Sequence, residues 1–228
     1  TENVLAMNES NLHAYQATAV DHIMNIKHCA LFLEMGLGKT VSSLTAIKKL
    51  MFDELDISSV LVIAPKRVAE SVWDAECKKW EHLNDLKVIK IIGTAKQRRE
   101  ALSKKGDIYM LGRDNVSWIC GQYGGSMLPF DMLVIDELSS FKNSKSLRFK
   151  ALRGVQPSFK RVVGLTGTPA PNGLIDLWSQ IYLLDRGERL GKFITRFRED
   201  YFRPGKRNGA IVYKYDLVTD GEKRIHEK

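Results

Sequence analysis

The sequence predicts an α/β protein with three layers, in which a mainly parallel β-sheet is covered by helices on both faces. Short runs rich in aliphatic and β-branched residues recur along the chain, at residues 29–33, 60–64, 88–92, 108–111, 132–135 and 162–165. Segments with helical spacing of apolar residues lie between these runs. Strands that are apolar throughout are buried on both faces, and their alternation with helices is typical of parallel sheets.

The helical spacing is clearest after the first two predicted strands. Apolar residues recur there at helical intervals, at positions 41, 44, 47 and 50 and again at positions 68, 72 and 75. In sheets of this kind, ligands bind beyond the carboxyl ends of the strands. We therefore expect the functional residues in the loops that follow residues 33, 64, 135 and 165.

The pattern changes near residue 184, and we predict one lobe over residues 1–185 and a basic extension over residues 186–228. The extension carries 12 basic and 7 acidic side chains, so it holds five of the eight net positive charges of the chain. It lacks the apolar spacing of a separate core, and residues 210–215 are compatible with a short edge strand. Its basic side chains form either a solvated face or a nucleic-acid surface.

Composition excludes several classes of protein. A chain of 228 residues that is 44% hydrophobic and 27% charged is neither disordered nor fibrous, because its apolar residues recur along the whole length. No apolar stretch approaches the roughly 18 residues of a membrane helix. The three cysteines and five histidines show no disulfide or zinc-ligand spacing. Residues 1–4 lack a basic leader and an apolar signal core, so we expect an intracellular protein without a membrane partner.

The loop after the first predicted strand has the composition of a phosphate-binding loop. Its residues are Glu34, Met35, Gly36, Leu37, Gly38, Lys39 and Thr40. Glycines let several backbone N–H groups point at one anion, and the helix predicted to begin near Lys39 adds positive partial charge. Lys39 would reach the β- and γ-phosphates, and the Thr40 hydroxyl would bind Mg²⁺. The full motif has glycine where this chain has Leu33, and the alternative is an ordinary glycine-rich turn.

Two adjacent carboxylates, Asp136 and Glu137, follow the predicted strand at 132–135. At a strand end, Asp136 can hold Mg²⁺ through water while Glu137 orients and deprotonates the attacking water. Acidic pairs after strands are frequently just exposed turns or the starts of helices. The pair gains significance if Lys39 lies at a neighbouring strand end.

The loop after the last predicted strand offers two hydroxyls beside a flexible glycine, at Thr166, Gly167 and Thr168. Such a loop is suited to sense the γ-phosphate and to pass the change to another surface. The alternative is a hydroxyl-rich turn that caps a helix starting near Gly173.

The turn after the second predicted strand is basic. Lys66 and Arg67 precede a predicted helix that carries Trp73 and Glu76. Backbone N–H groups at the helix start, together with these two cations, could hold nucleic-acid phosphates. The alternative is that Lys66 and Arg67 are simply solvated basic side chains.

The order of these motifs resembles the Swi/Snf-type ATPases of helicase superfamily two, and compact bacteriophage and prophage members look most similar. The resemblance extends over nearly the whole chain. It rests on Tyr15-Gln16, residues 34–40, Ala64-Pro65-Lys66, Trp73 with Glu76, Asp136-Glu137 and residues 165–172.

The resemblance implies a RecA-like P-loop NTPase lobe whose strand order differs from that of a dinucleotide-binding fold. It also implies ATP-driven translocation on duplex DNA with Mg²⁺ as the metal, in the cytoplasm of a bacterium or of a phage-infected host cell. It places adenine recognition at Tyr15 and Gln16, phosphate and Mg²⁺ binding at Lys39 and Thr40, metal and water at Asp136 and Glu137, and DNA-backbone contacts at Lys66, Arg67 and Arg113.

The chain departs from the family pattern in two places. The family commonly has His or Gln where this chain has Ser139, which puts coupling through that position in question. Family enzymes also carry a second RecA-like lobe whose arginines complete the ATP site, and no such lobe fits into residues 186–228. The chain is therefore expected to be lobe one of a longer polypeptide and nearly inactive without lobe two.

Two other functions are compatible with a phosphate-binding loop. A non-catalytic nucleic-acid-binding module with a vestigial ATP site is one, although such a site has no need of Lys39, Thr40, Asp136 and Glu137 together. A P-loop kinase is the other, although no acceptor-site or lid-arginine pattern is present and the Leu-Thr-Gly-Thr-Pro run would be unexplained.

Overall fold

The computed structural model describes residues 7–125, 127–205, 207–208, 211–212 and 214–228. Residues 1–4, on which the expectation about a leader depends, lie outside this part. The strands are β1 (His28–Phe32), β2 (Val60–Ala64), β3 (Val88–Ile91), β4 (Ile108–Gly112), β5 (Met132–Asp136), β6 (Arg161–Thr166), β7 (Phe202–Pro204), β8 (Arg207–Asn208), β9 (Ile211–Val212) and β10 (Tyr215–Leu217). The α-helices are α1 (Ala14–Asn25), α2 (Lys39–Phe52), α3 (Trp73–Lys79), α4 (Ala95–Leu102), α5 (Val116–Gln122), α6 (Leu147–Val155), α7 (Leu177–Asp185), α8 (Ile194–Tyr201) and α9 (Gly221–His226).

The first six strands form one parallel sheet in the order β1-β6-β5-β2-β4-β3. This arrangement confirms the predicted three-layer α/β fold, and the order differs from that of a dinucleotide-binding fold. All six predicted strands are present, with ends that differ by one residue in most cases. The first strand ends before Leu33, whose carbonyl accepts a hydrogen bond from the Lys39 ammonium group.

Alternate residues of the sheet pack into opposite layers, as the pleat of a strand requires. Leu61 and Ile63 of β2 face a cluster that contains the buried sides of α5, α6 and α7. Val60 and Val62 face the other cluster, which contains α1, α2 and α3. Every residue of β2 is buried, so the continuous apolar run reflects a central strand covered on both sides.

Local sequence explains where several helices begin. Gly38 precedes α2 in a left-handed conformation, with φ of 76°. Thr94 caps α4 by accepting a hydrogen bond from the backbone N–H of Gln97, and Ser146 caps α6 in the same way. The helix predicted near Gly173 starts as a short 3₁₀ turn before α7.

The extension after residue 185 packs onto the lobe. Large side chains of this segment join the core cluster on the α5–α7 side of the sheet, namely Leu190, Phe197, Tyr201, Phe202 and Ile225. The expected single edge strand at 210–215 is not what the described residues show: β9 pairs with β8 and β10 pairs with β7, in two small sheets apart from the main one, with residues 210 and 213 outside the described part. The boundary near residue 185 stays a prediction. Within the described ranges, no helix has the length and hydropathy that crossing a membrane requires.

Candidate active site

The loop between β1 and α2 has the backbone of a phosphate cradle. Gly36 and Gly38 adopt φ values of 83° and 76°, which L-residues with side chains rarely adopt. The first turn of α2 leaves backbone N–H groups without partners inside the helix. These groups and the helix dipole favour an anion at the loop. The predicted phosphate-binding residues are therefore arranged in a way that fits a phosphate chain.

The Lys39 ammonium group lies across its own loop. It donates hydrogen bonds to the Leu33 carbonyl at 2.7 Å and to the Glu34 carbonyl at 2.9 Å. These bonds hold the positive charge beside the backbone N–H groups of the cradle.

Asp136 is the last residue of β5 and its carboxylate is held by a tryptophan. The indole N–H of Trp73 donates to Asp136 Oδ2 at 2.9 Å. Burial raises the pKa of the Asp136 carboxyl above its ordinary value, while the Trp73 hydrogen bond and the nearby charge of Lys39 act in the opposite direction. The Lys39 charge is therefore close enough to Asp136 to influence the pKa of its carboxyl.

Glu137 occupies a left-handed backbone conformation, with φ of 63°, which is uncommon for a residue with a side chain. Its Oε1 atom accepts hydrogen bonds from the Ser139 hydroxyl and, at 3.3 Å, from the Thr166 hydroxyl. Thr166 Oγ1 in turn accepts the backbone N–H of Thr168 at 3.1 Å. The acidic pair is thus connected directly to the loop after β6.

Gly167 brings the loop after β6 against the phosphate loop. A Cβ atom at this position would lie 3.3 Å from the Leu33 carbonyl oxygen and 3.5 Å from both Glu34 Cα and the Met35 nitrogen. The strand order explains this contact, because β6 lies between β1 and β5. Three of the predicted loops therefore meet at one edge of the sheet.

Gln16 connects α1 to the phosphate loop. Its Oε1 atom accepts the backbone N–H of His13 at 2.9 Å, and its Nε2 atom donates to the Leu37 carbonyl at 3.4 Å. A Cβ atom on Gly38 would lie only 2.1 Å from Gln16 Nε2. Glycine at position 38 is thus favoured by its positive φ, and a side chain there would displace the Gln16 amide from its present position.

A cavity of about 360 Å³ lies beside the phosphate loop and Gln16. Gln16, Gly38, Lys39 and Thr40 contribute to its wall, together with Trp80 of the turn after α3. Tyr15 does not line this cavity. It is 41% exposed and stacks on the His13 ring, with ring centroids 5.5 Å apart.

The basic residues form a separate group at the same edge of the sheet. Lys66 and Arg67 follow β2 and are exposed, and Arg113 follows β4 and is half-buried. β2 and β4 are neighbours, with Ala64 paired to Gly112. The two basic turns are therefore adjacent, although they are far apart in sequence.

Sequence reasoning did not assign roles to three side chains of the site. Trp73 donates a hydrogen bond to Asp136, and Ser139 donates one to Glu137. The His13 ring stacks on the Tyr15 ring. Trp73 was part of the motif order and Ser139 stood out as a departure from the family pattern. Neither observation indicates which carboxylate the side chain contacts, since that depends on packing between strands.

A glycine-rich loop with Lys39 and Thr40, faced by Asp136 and Glu137 from a nearby strand, defines a class of protein: a P-loop NTPase lobe with RecA-like topology. The SNF2-related domain family matches residues 12–215, and the chain belongs to this family. It forms the N-terminal RecA-like lobe of a Swi/Snf-type ATPase of helicase superfamily two.

The relatives of this chain include phage and eukaryotic proteins. It is 39% identical over 195 residues to protein p41 of Acyrthosiphon pisum secondary endosymbiont phage 1, covering 83% of this chain and 42% of that protein. It is 30% identical over 186 residues to helicase ssl-1 of Caenorhabditis elegans, covering 76% of this chain and 7% of that protein. The chain thus spans less than half the length of either relative.

A solved structure has the same fold. The Sulfolobus solfataricus SWI2/SNF2 ATPase core in complex with dsDNA aligns with a TM-score of 0.69 at 24% identity. The alignment covers 84% of this chain and 39% of that chain. It supports the RecA-like architecture of the lobe.

Proposed function

We propose that this chain is the ATP-binding lobe of a DNA-dependent ATPase that couples ATP hydrolysis to movement along DNA or to its remodelling. The observation that carries the proposal is the meeting of three loops at one sheet edge. Lys39 lies in one of them, Glu137 in the second and Thr166 in the third, and Glu137 accepts a hydrogen bond from Thr166. The proposed ATP site thus has a direct connection to the coupling loop, Thr166, Gly167 and Thr168.

The oxygen donors at this edge fit Mg²⁺, which prefers carboxylate, hydroxyl and water ligands. Thr40 stands in the first turn of α2 and Asp136 at the end of β5, and these two residues would hold the metal. When bound, Mg²⁺ would neutralise charge on the phosphates. The Thr40 hydroxyl and the Asp136 carboxylate would hold that metal, and Lys39 would bind the phosphate oxygens.

Glu137 is the group that we assign to water activation. The Ser139 and Thr166 hydroxyls both donate to its Oε1 atom, which fixes the plane of the carboxylate. A carboxylate held in one orientation beside the phosphate loop can orient a water molecule and accept its proton. In this assignment Ser139 supports Glu137 locally.

The adenine base is assigned to the cavity beside Gln16. The Gln16 side-chain amide is hydrogen-bonded to the backbones of His13 and Leu37. It therefore joins the start of α1 to the phosphate loop. Tyr15 lies outside the wall of this cavity, exposed and stacked on His13, and we assign it to adenine recognition as the neighbour of Gln16.

DNA contact is assigned to the adjacent basic turns at Lys66, Arg67 and Arg113. Exposed cations and helix N-termini hold nucleic-acid phosphates without reading the sequence. Support also comes from the Sulfolobus ATPase core, which was solved with dsDNA. A second RecA-like lobe in the same polypeptide is the other proposed partner, because the relatives are more than twice as long as this chain.

Lys39→Ala should bring ATP binding by this chain close to the limit of detection. Hydrogen bonds to charged groups contribute about 1.5–3 kcal/mol each, and two of them correspond to a loss on the order of 10²–10⁴-fold in affinity. Isothermal titration with a non-hydrolysable ATP analogue measures this effect. Lys96→Ala is the matched control, because Lys96 is exposed on α4 and far from the loop in the fold. Equal affinity in the Lys39 variant and the parent would remove Lys39 from the site and favour a vestigial one.

Replacing Lys66 and Arg67 together by Ala should weaken duplex DNA binding similarly for unrelated sequences. Each DNA phosphate that is no longer neutralised reduces the slope of log K against log salt by roughly 0.9, so the slope should fall by about two units at most. Fluorescence anisotropy at several salt concentrations measures both quantities. The control is Lys104→Ala with Lys105→Ala, which removes the same amount of charge. These two residues precede β4 and lie at the opposite end of the parallel strands. An unchanged slope in the first variant, or an equal change in both, would contradict the assignment.

A further inference from the structure

Trp73 makes a contact with the acidic pair that no catalytic role assigned above requires. It is the first residue of α3, it is completely buried, and its indole N–H donates to Asp136 Oδ2 at 2.9 Å. The two residues are 63 positions apart in the chain. An indole has one donor and no acceptor, so this bond has a single possible direction and persists only while the partner offers an acceptor atom.

The contact is stronger and more restrictive than the hydrogen bond of another buried tryptophan in the lobe. Trp178 donates to the Gly191 carbonyl at 3.0 Å, which is a neutral acceptor in a loop without proposed catalytic residues. Trp73 instead donates to the Asp136 carboxylate at the end of β5, where the metal site is proposed. Charge-assisted hydrogen bonds are roughly twice as strong as neutral ones. Loss of the Trp73 N–H therefore acts on the carboxylate as well as on packing.

The backbone before Trp73 has an unusual form. Residues Val68–Val72 form a turn of π-helix, directly after the basic turn of Lys66 and Arg67 and directly before α3. π-Helical turns are rare and occur frequently at functional sites. A wider turn shifts the direction of every side chain that follows it. Here it accompanies a helix start in which Trp73 points into the site rather than only into the core.

We infer that Trp73 is a positioning residue for the metal site, holding the Asp136 carboxylate in the orientation in which it serves Mg²⁺. The inference rests on the proposed function, because it takes Asp136 as a group that orients the metal. Residues that hydrogen-bond to metal-orienting groups typically contribute on the order of 10–100-fold to metal affinity. Trp73 connects this carboxylate to α3, which follows the proposed DNA-contacting turn and the π-helical turn.

The test is Trp73→Phe, which keeps an aromatic ring and removes the N–H. Mn²⁺ is the probe, because it accepts the same oxygen ligands and its binding can be followed by electron paramagnetic resonance in the presence of ADP. We expect Mn²⁺ affinity to fall about tenfold. ADP affinity measured without metal, in the presence of a chelator, should stay within about twofold of the parent value, because the substitution leaves the phosphate loop unchanged.

Two controls separate positioning from packing. Trp178→Phe removes an indole N–H that bonds to Gly191, and Mn²⁺ affinity should be unchanged. In an Asp136→Ala background, which removes the acceptor, Trp73→Phe should cause little further loss of Mn²⁺ affinity, because residues that act through one another are not additive.

A second measurement uses the unmodified chain and does not depend on the folding of a variant. In its ¹⁵N spectrum, Mn²⁺ with ADP should broaden the Trp73 indole resonance much more than that of Trp178. Equal Mn²⁺ affinity in Trp73→Phe and the parent, or an unbroadened Trp73 resonance at saturating Mn²⁺ and ADP, would overturn the inference and leave the proposed function intact. Failure of the unmodified chain to bind Mn²⁺ and ADP would instead overturn the proposed function, and the inference with it.

Discussion

The 228-residue chain alone should hydrolyse ATP at roughly a thousandth of the rate of a polypeptide that also carries the second RecA-like lobe, or less. In related phosphoryl-transfer sites an arginine supplied across an interface stabilises the charge of the transition state and contributes on the order of 10³–10⁵ in rate. In the proposed ATP site of this lobe, we assign phosphate binding to Lys39, metal orientation to Asp136 and water activation to Glu137. The charge-stabilising arginine is the component that we assign to lobe two.

The measurement is ATP turnover of the single lobe and of the two-lobe polypeptide, each with and without duplex DNA at low salt. DNA should stimulate the two-lobe form and have little effect on the single lobe. Glu137→Gln versions of both proteins give the background from contaminating ATPases. Strong DNA-stimulated turnover by the single lobe would mean that the arginine lies within this chain or comes from self-association, and the two-lobe assignment would then be wrong.

Glu137→Gln in the two-lobe polypeptide should preserve Mg-ATP binding and lower turnover by about 10²–10⁴-fold, the usual contribution of a general base. Glutamine can still accept hydrogen bonds from Ser139 and Thr166 through its amide oxygen, so the local structure should persist. It cannot accept the proton of the attacking water. The variant therefore separates positioning of the water from its deprotonation.

Steady-state turnover and analogue affinity, measured on the same preparation, test this expectation. Glu199→Gln is the matched control, because Glu199 is exposed on α8 and far from the site in sequence and fold. A turnover of Glu137→Gln within about threefold of the parent would contradict the role of Glu137 as the general base. A parallel loss of analogue affinity would mean that Glu137 supports binding.

The hydrogen bonds around Glu137 give a physical explanation of the departure at Ser139. The family commonly has His or Gln at this position, whose polar atoms lie farther from the backbone than a serine hydroxyl does. The short Ser139 side chain reaches Glu137 two residues earlier, and Thr166 reaches the same oxygen from the next strand. The left-handed backbone of Glu137 is consistent with a residue held in place by its surroundings.

Local patterns in the sequence were sufficient to predict the main strands and helices and to name the candidate site residues. Continuous apolar runs identify strands such as β2 because a strand buried on both faces has no solvent side to carry polar residues. The phosphate loop is equally local, since Gly36, Gly38, Lys39 and the start of α2 lie within a few residues of each other. Such features depend on backbone conformation and near neighbours, which the order of residue types records directly.

Only the tertiary structure decided which of these elements meet. The order β1-β6-β5 places Gly167 against the phosphate loop and Thr166 beside Glu137, and the pairing of β2 with β4 brings the basic turns together. The hydrogen bond from Trp73 to Asp136 spans 63 positions of sequence. Hydrophobic periodicity shows that a strand is buried but carries no information about its neighbours. Those neighbours are set by how the crossover helices pack on the two faces of the sheet, and this packing is a property of the whole folded chain.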